Sequence, residues 1–192
     1  MKFTKESRNA ILCAILGNGV IDNEGRVILR YSVLKSDYAE WKRKWLMKRG
    51  VKCSEIEVSG NSVIFHIKPT KWAKLLKRII YNHCRKTVGH PKLWSRLSKE
   101  HLAHIYLDKG SITNYKTRYT LSLNTNSSKE DNQVLIEYLN GRYGVSFYQM
   151  KWNGKYYLQC GTKEARKFLN LIRNKVEDVP SISHKLRNIW VS

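Results

Sequence analysis

Polar and apolar positions along the chain alternate at two periods, and each period predicts one kind of element. The stretch ILCAILGNGVID, residues 11–22, is an apolar helical segment that runs into a turn flanked by glycines. RVILRYSV, residues 26–33, alternates strictly between apolar and polar side chains, which predicts a half-buried strand. The apolar face of this strand is expected to carry Val27, Leu29, Tyr31 and Val33.

Continuing these patterns predicts the order αββαββα for the first part of the chain, if a short strand after Gly19 is counted. A serine cap opens the helix at 36–50 and a glycine closes it, while a Gly60-Asn61 turn indicates a hairpin. The predicted elements are helices at 5–17, 36–50 and 70–84, and strands at 26–33, 52–59 and 62–68.

The same order recurs roughly ninety residues later, which is the pattern of an internal duplication. HLAHIYLDKGSIT, residues 101–113, repeats the opening helix and turn, with Lys109 where the first copy has Asn18. Further elements are predicted as helices at 98–108, 128–142 and 162–175, and strands at 117–125, 145–152 and 155–160, the last two around an Asn153-Gly154 turn. The chain is therefore divided into a first half at 1–84, a linker with Gly and Pro at 85–97, and a second half at 98–192.

The opening helix of each half is too apolar to remain exposed, so each helix needs a packing partner. Gly17 and Ala103 are small, which would let these two helices pack closely side by side. We therefore expect one pseudo-symmetric molecule with two curved sheets that face the same way. Two independent domains on a linker are the alternative, and they would leave both helices without cover.

The net charge of the chain indicates which class of molecule it binds. The chain has 36 Lys and Arg against 15 Asp and Glu, and a net charge of +21 indicates a polyanion. General RNA binders are the alternative, but they concentrate basic residues in tails, whereas here these residues are spread through periodic segments.

No apolar run is long enough to cross a membrane and the N-terminus lacks a signal-peptide core, so we expect no membrane partner and an intracellular location, in the cytoplasm, the nucleoid or an organelle.

The residues alone do not indicate a metal site. The four cysteines lie far apart and form no C-x-x-C pair, so a zinc site is not expected. His101 and His104 are three residues apart on a helix, but no further ligands lie nearby in the sequence.

ILCAILGNG and LAHIYLDKG resemble the two signature helices of the LAGLIDADG homing endonucleases, in their single-chain, monomeric form. The resemblance extends over nearly the whole chain, including the C-terminal VPSISHKLRNIW. It implies an α+β fold, a pseudo-two-fold duplication of αββαββα with two antiparallel β-saddles on a central helix pair. It also implies a monomer that reads a long, asymmetric site in double-stranded DNA.

In that family the last acid of each signature helix binds a divalent metal, and the paired carboxylates support cleavage of both strands. Here those two catalytic positions hold Asn18 and Lys109. An amide offers one neutral oxygen, and an ammonium group repels a cation. By resemblance, Lys86 in RKT and Lys185 in SHKL occupy the assisting basic positions. DNA binding would then need no cofactor, and Mg²⁺ would be needed only if cleavage is retained.

Two alternatives bear on these positions. A displaced acid, Asp22 or Asp108, could support one weak metal site and slow cleavage or nicking. Asp108 cannot simply replace its neighbour, because adjacent side chains on a helix point about 100° apart. Asn18 could also have been introduced to silence the enzyme, but Lys109 is an odd choice for that purpose, which favours natural loss.

DNA contacts are expected on the polar faces of the strands, because the other faces pack on helices. A mixture of Arg, Asn, Gln, Ser and Glu suits readout of base edges, whereas a phosphate-binding surface needs only Lys and Arg. The predicted contacts are Arg26, Arg30, Ser32, Glu55, Glu57, His66 and Lys68 in the first half, and Arg118, Thr120, Ser122, Asn124, Gln149, Lys151, Asn153, Lys155 and Gln159 in the second. Lysines of the outer helices, Lys42, Lys44, Lys74 and Lys77, are expected in solvent, and Trp41, Trp45, Trp72 and Trp152 in the core.

The resemblance and the altered positions together predict a site-specific binder of double-stranded DNA with impaired cleavage, acting as a transcriptional regulator. A working homing endonuclease with unusual metal ligation is the second hypothesis. An intron RNA maturase is the third, since some relatives have that role.

Overall fold

The computed structural model describes residues 4–82, 85–87, 89–116, 118–175 and 179–187. The chain forms two compact units, one of Met1–Ile79 with Glu177–His184 and one of Ile80–Val176 with Lys185–Ser192. Residues 85–97, expected as a linker, fall within the second unit, and the segment from 177 to 184 falls within the first.

Helix α1 (Lys5–Leu16) opens the first unit, and both of its ends follow from the sequence. The Ser7 amide donates to the Thr4 hydroxyl at 3.0 Å, and the Gly17 amide donates to the Cys13 carbonyl at 2.9 Å. The helix is buried on all sides from Asn9 to Leu16, as expected for one with apolar residues all round.

The other elements of this unit form one antiparallel sheet and the helices that flank it in sequence. They are β1 (Val20–Ile21), β2 (Val27–Ser32), α2 (Ser36–Lys48), β3 (Glu57–Ser59), β4 (Ser62–Ile67) and α3 (Lys71–Ile80). The strand order is β1-β2-β4-β3. This confirms the predicted element order, including the short strand after Gly19.

Pairing of β2 with β4 sets the core face of the sheet. Leu29 lies opposite Phe65 and Tyr31 opposite Val63, and all four side chains are buried. Tyr38 of α2 packs edge-on against Tyr31, with ring centroids 5.3 Å apart, so α2 covers this face. Val33 was wrongly predicted to share it: the strand ends at Ser32, and Val33 begins a 3₁₀ turn with 38% of its surface exposed.

Lys42 of α2 also departs from the prediction that it lies in solvent, because the side chain is fully buried. Its ammonium lies 5.6 Å from the ring centroid of Trp45 and 6.0 Å from that of Tyr38. Aromatic faces attract cations and partly replace water around them. The long aliphatic stem can therefore be buried while the charge meets ring faces.

The second unit contains a small hairpin, a short helix and a second four-stranded sheet. Its elements are β5 (Tyr81–Asn82), β6 (Arg85–Lys86), α4 (Pro91–Trp94), α5 (Lys99–Lys109), β7 (Gly110–Tyr115), β8 (Arg118–Leu123), α6 (Lys129–Tyr143), β9 (Tyr148–Trp152), β10 (Lys155–Gly161) and α7 (Thr162–Ile172). The strand order β7-β8-β10-β9 repeats the connectivity of the first sheet. A further short helix, α8 (His184–Arg187), lies near the C-terminus.

No separate range was predicted for strand β7, although the duplicated αββαββα order places a strand directly after α5. This strand starts directly after the last residue of α5. Ile112 is the one aliphatic side chain in GSITNY, so the strand shows little alternation between apolar and polar positions. The backbone pairing of β7 with β8 stabilises it as a strand, although its own side chains do not indicate one. Among the described residues, no helix is long and apolar enough to span a bilayer.

Candidate nucleic-acid interface

The face of the first sheet opposite its core is a mixed polar surface. Residues opposite each other in an antiparallel pair point to the same side, so the pairs Arg30–Ile64, Glu57–Ile64 and Ser32–Ser62 define this face. Arg30, Ser32 and Glu57 are exposed, whereas His66, opposite Ile28, is half-buried. Four of the predicted DNA contacts therefore share one surface.

Arg26 lies in the turn between β1 and β2, where it is held by Asp22. The guanidinium Nε donates to Asp22 Oδ2 at 2.8 Å, and the backbone amides of Glu24 and Arg26 donate to Oδ1. Desolvation acts to raise the pKa of Asp22, but these hydrogen bonds and the charge of Arg26 outweigh it and lower the pKa. Both oxygens of the Asp22 carboxylate therefore already accept hydrogen bonds within this turn, which argues against Asp22 as a displaced metal ligand.

Glu55 does not lie with Glu57. Its carboxylate accepts from Arg43 of α2, whose Nε also donates to the Ser54 carbonyl at 2.7 Å. Glu55 is thus drawn toward the helix that covers the core face, and it does not lie on the predicted polar surface. Lys68 lies just past β4, and its side chain is exposed.

The corresponding face of the second sheet brings together Arg118, Thr120 and Ser122 of β8 with Lys155 and Gln159 of β10. Gln159 lies opposite Ser122 in the ladder, and its Nε2 donates to the Ser122 hydroxyl at 3.0 Å. Arg118 and Lys155 are exposed. At this point the structure agrees with the surface that the sequence predicted.

Two further predicted contacts lie beside this face, in connections. Asn153 and Gly154 both have positive φ, 47° and 73°, as a tight two-residue hairpin turn requires. Asn124 is exposed just after β8, and its backbone amide donates to the Lys109 carbonyl at 3.0 Å.

Gln149 and Lys151 were wrongly placed on the polar face. Gln149 pairs with Leu158, which is fully buried, and its Nε2 lies 3.4 Å from Oε1 of Gln133 on α6. Lys151 pairs with Tyr156, and its ammonium lies 5.6 Å from the centroid of that ring. Both side chains therefore point to the helix-covered side of the sheet.

The residues that replace them on the polar face are apolar, and the sequence interpretation missed them. Tyr148, Met150 and Trp152 are 49%, 40% and 69% exposed. They alternate along β9 and lie opposite Gln159, Tyr157 and Lys155, so the three form one stripe, here named the β9 stripe. Alternation in YQMKW is visible in the sequence, but the apolar positions were taken as the inward ones. Trp152 was therefore wrongly predicted to lie in the core.

The end of α1 is a tight turn around Asn18. A Cβ atom on Gly19 would lie 2.7 Å from the Ala14 carbonyl oxygen and 2.8 Å from a Val27 methyl carbon, so the backbone approaches too closely for a side chain. The Gly19 amide donates to that same Ala14 carbonyl at 2.8 Å. Asn18 is half-buried at this turn.

The end of α5 is different, because three lysines meet there. Lys109 is in the last turn of α5 and Lys86 is on β6, and the Lys185 ammonium donates to the Leu107 carbonyl at 2.6 Å. The Lys185 carbonyl in turn accepts from the Tyr106 hydroxyl at 2.9 Å. We call Lys86, Lys109 and Lys185 the lysine cluster. The C-terminus of a helix carries partial negative charge and attracts cations, which explains in part why three lysine side chains can lie at the end of α5.

The pKa of Lys86 is lowered to about 7, first by burial and then by the charge of Lys109, while Asp108 opposes the shift. The pKa of Lys109 is also lowered by burial, against the charge of Asp108. Both pKa values are therefore lowered first by burial, and the carboxylate of Asp108 opposes each shift.

Neither helix end has the donors that a divalent cation requires. Among the described residues, no three or more His, Cys, Asp or Glu side chains are grouped so that they could hold a metal ion. Asp108, the other candidate for a displaced acid, interacts electrostatically with Lys86 and Lys109. His101 is used in a capping box, where its Nδ1 accepts from the Ser98 amide at 3.2 Å. The family's metal therefore does not fit the residues present.

Comparisons with known proteins agree with this geometry. The sequence profile described as the LAGLIDADG DNA endonuclease family matches residues 8–168. No curated protein sequence matches the chain.

The solved structures that are similar in fold include the following three. The homing endonuclease I-WcaI bound to its DNA recognition sequence has a TM-score of 0.74 at 20% identity, covering 97% of this chain and 88% of that one. The N-terminal LAGLIDADG domain of DUF199/WhiA has a TM-score of 0.59 at 18% identity, covering 90% and 86%. I-DmoI in complex with DNA and Mn has a TM-score of 0.52 at 17% identity, covering 88% and 97%. At these identities the likeness shows a shared fold.

Proposed function

The chain belongs to the LAGLIDADG DNA endonuclease family, and from that premise we propose that it is a monomeric, site-specific binder of double-stranded DNA whose cleavage is lost or impaired. Bound at its site without cutting it, such a protein would act as a transcriptional regulator. The proposal separates the two properties of the family: the DNA-reading faces are retained and the metal chemistry is not.

The observation that carries the loss of cleavage is Lys109 at the end of α5, because an ammonium group stands there where the family has a carboxylate. Cleavage in this family uses carboxylates that hold divalent cations, and those cations activate water and stabilise charge on phosphate. Here Lys109 stands at the signature position beside Lys86, and Asn18 stands at the other. Ammonium groups repel a divalent cation, and one amide oxygen cannot balance its charge.

DNA binding is supported by the polar faces and by charge. Arg30 in one sheet, and Arg118 with Gln159 in the other, have the hydrogen-bonding groups that read guanine and adenine in the major groove. A net charge of +21 favours association with a polyanion. I-WcaI and I-DmoI, which share the fold, were solved bound to DNA.

The lysine cluster has a role in binding under this proposal. A phosphate group near Lys109 and Lys86 would favour the protonated form of Lys86, whose pKa is lowered first by burial. The two ammonium groups would then neutralise part of the DNA charge at a position where relatives carry a metal.

The test has two stages, because the target must be known before cleavage is measured. Bound duplexes are first selected from a random library, and the selected site is placed in a supercoiled plasmid. With Mg²⁺ or Mn²⁺ we expect specific binding and no nicking or linearisation above a plasmid without the site. Efficient cutting at the site by the natural sequence would contradict the loss of cleavage and support the working endonuclease.

A variant and a competing ligand make the test sharper. The double substitution Asn18→Asp with Lys109→Asp restores an acid at both signature positions, and metal-dependent nicking by this variant alone would assign the loss to these residues. Structured RNA is compared with duplex DNA in a gel-shift titration at fixed salt. Tighter binding of the RNA would contradict the proposal and favour a maturase.

A further inference from the structure

The β9 stripe is an unusual feature of a surface that otherwise carries charged and hydrogen-bonding groups. Tyr148, Met150 and Trp152 are side by side on an edge strand and are 49%, 40% and 69% exposed. Tyr157 lies opposite Met150 and extends the apolar surface onto β10. Large exposed apolar patches on soluble proteins commonly mark interaction sites.

We propose that the β9 stripe contacts the C5-methyl groups of thymine in the major groove, so that one half of the DNA site is selected for its methyl groups. This inference rests on the proposed DNA-binding function and names the bases that one face selects. In the major groove, the methyl group is the only apolar feature of an A·T pair, and apolar side chains are its natural partners.

Neighbouring polar residues suit the same base pair. Gln159 lies opposite Tyr148 in the ladder, on the same face. A glutamine amide can pair with N6 and N7 of adenine, while an adjacent apolar side chain contacts the methyl of the paired thymine. Gln159 and the β9 stripe together therefore match both bases of an A·T pair.

Charge argues for DNA as the occupant of this surface and against a second copy of the chain. Lys155 lies opposite Trp152 on the same face, so a cation borders the stripe. Two such surfaces would bring like charges together, whereas the DNA backbone supplies the opposite charge. The edge strand of the first sheet, β3, carries Glu57 and Ser59 on its corresponding face, so β3 has no counterpart of the β9 stripe.

The experiment uses the full chain and the duplex selected from the random library. Thymines are replaced by deoxyuridine, one half of the site at a time, because deoxyuridine keeps every hydrogen-bonding group and loses only the methyl. Affinity is measured by fluorescence anisotropy at fixed salt. We expect about fourfold weaker binding for each contacted methyl removed from one half of the site. In the other half, the same replacement leaves affinity unchanged.

Variants assign that sensitivity to the stripe. Met150→Gln and Trp152→Ser remove exposed apolar surface and are expected to bind thymine and deoxyuridine duplexes equally. Lys151→Ala is the matched control, because Lys151 is on the same strand but on the opposite face. It is expected to keep the full discrimination. Circular dichroism of each variant checks that the fold is retained.

Other results would overturn the inference. If the chain binds its duplex but deoxyuridine has no effect in either half, the methyl readout is wrong and the proposed DNA-binding function stands. If no duplex is bound, the proposed function itself fails. If light scattering shows a dimer that Met150→Gln converts to a monomer, the stripe is a self-association surface and the inference is wrong.

Discussion

The ends of α1 and α5 occupy equivalent places in the two halves of the sequence, but they are built differently. After α1, Asn18 lies in a glycine turn whose backbone contacts leave no room at Gly19. After α5, the helix continues through Lys109 directly into a strand, and two further lysines lie against its last turn. Both ends are closely packed, and the end of α5 also accumulates positive charge.

This difference shows that the two halves share an order of elements while the residues at these two helix ends differ in charge. Close backbone packing is needed in both copies, since Gly110 is also confined, with its Cβ position 2.6 Å from the Tyr106 carbonyl oxygen. The side chain before each glycine is less constrained by the fold. An amide and an ammonium group are therefore both compatible with it.

The largest expected effect is a loss of stability when a side chain is added at one of these confined glycines. Gly19→Ala should lower the free energy of unfolding by about 2–4 kcal/mol, because the new methyl overlaps a backbone carbonyl that cannot move freely. Chemical denaturation measures the change. Gly141→Ala is the control, since its Cβ position is open and it lies within α6, where alanine should stabilise by about 0.5–1 kcal/mol. Equal effects at the two positions would disprove the close-packing explanation.

The next largest effect is the pH dependence of stability that the buried Lys86 causes at the end of α5. The pKa of Lys86 is about 7 in the folded chain and near 10.5 when unfolded, so the unfolded chain binds more protons between these values. Stability should therefore rise with pH from about 7 to 10.5. Lys86→Met removes this dependence and should raise the free energy of unfolding at pH 7 by about 1 kcal/mol, allowing for solvent screening. A pH slope unchanged by the substitution would show that Lys86 is charged and solvated.

A smaller effect, on DNA affinity, separates the two helix ends directly. Lys109→Met should weaken binding by about fivefold and reduce the slope of log affinity against log salt by about one, as for the loss of one phosphate contact. Asn18→Met should leave the salt slope unchanged, because no charge is lost. Anisotropy titrations at several salt concentrations measure both slopes. A steeper slope for Lys109→Met would contradict a role for the lysine cluster in neutralising phosphate.

The smallest effect is expected at the turn between β1 and β2. The pKa of Asp22 is lowered in the fold, so its contribution is present above its unfolded pKa and is lost as pH falls through the folded value. Asp22→Asn should slightly lower stability at neutral pH and make no difference in strong acid. Thermal unfolding at both pH values checks this. A loss that persists in acid would mean that packing, and not charge, holds the turn.

Particular residues show where the sequence was a sufficient guide. Strict alternation identified β2, and Asn153-Gly154 identified the second hairpin, because these signals depend on neighbouring residues only. Val33 was assigned wrongly, since alternation continues past the point where the chain turns. Lys42 was expected in solvent, but aromatic rings brought to it by the fold allow its burial.

The amino-acid order by itself determined the duplication and the two antiparallel sheets, and it has Asn18 and Lys109 where the resemblance implies acids, because periodicity and residue type are local properties. Only the tertiary structure decided which side of β9 faces the open surface and which lysines gather at the end of α5. Both depend on strand register and on contacts between distant segments. Tyr148, Met150 and Trp152 alternate in the same way whichever side they face, and Leu158 in the neighbouring strand fixes the side.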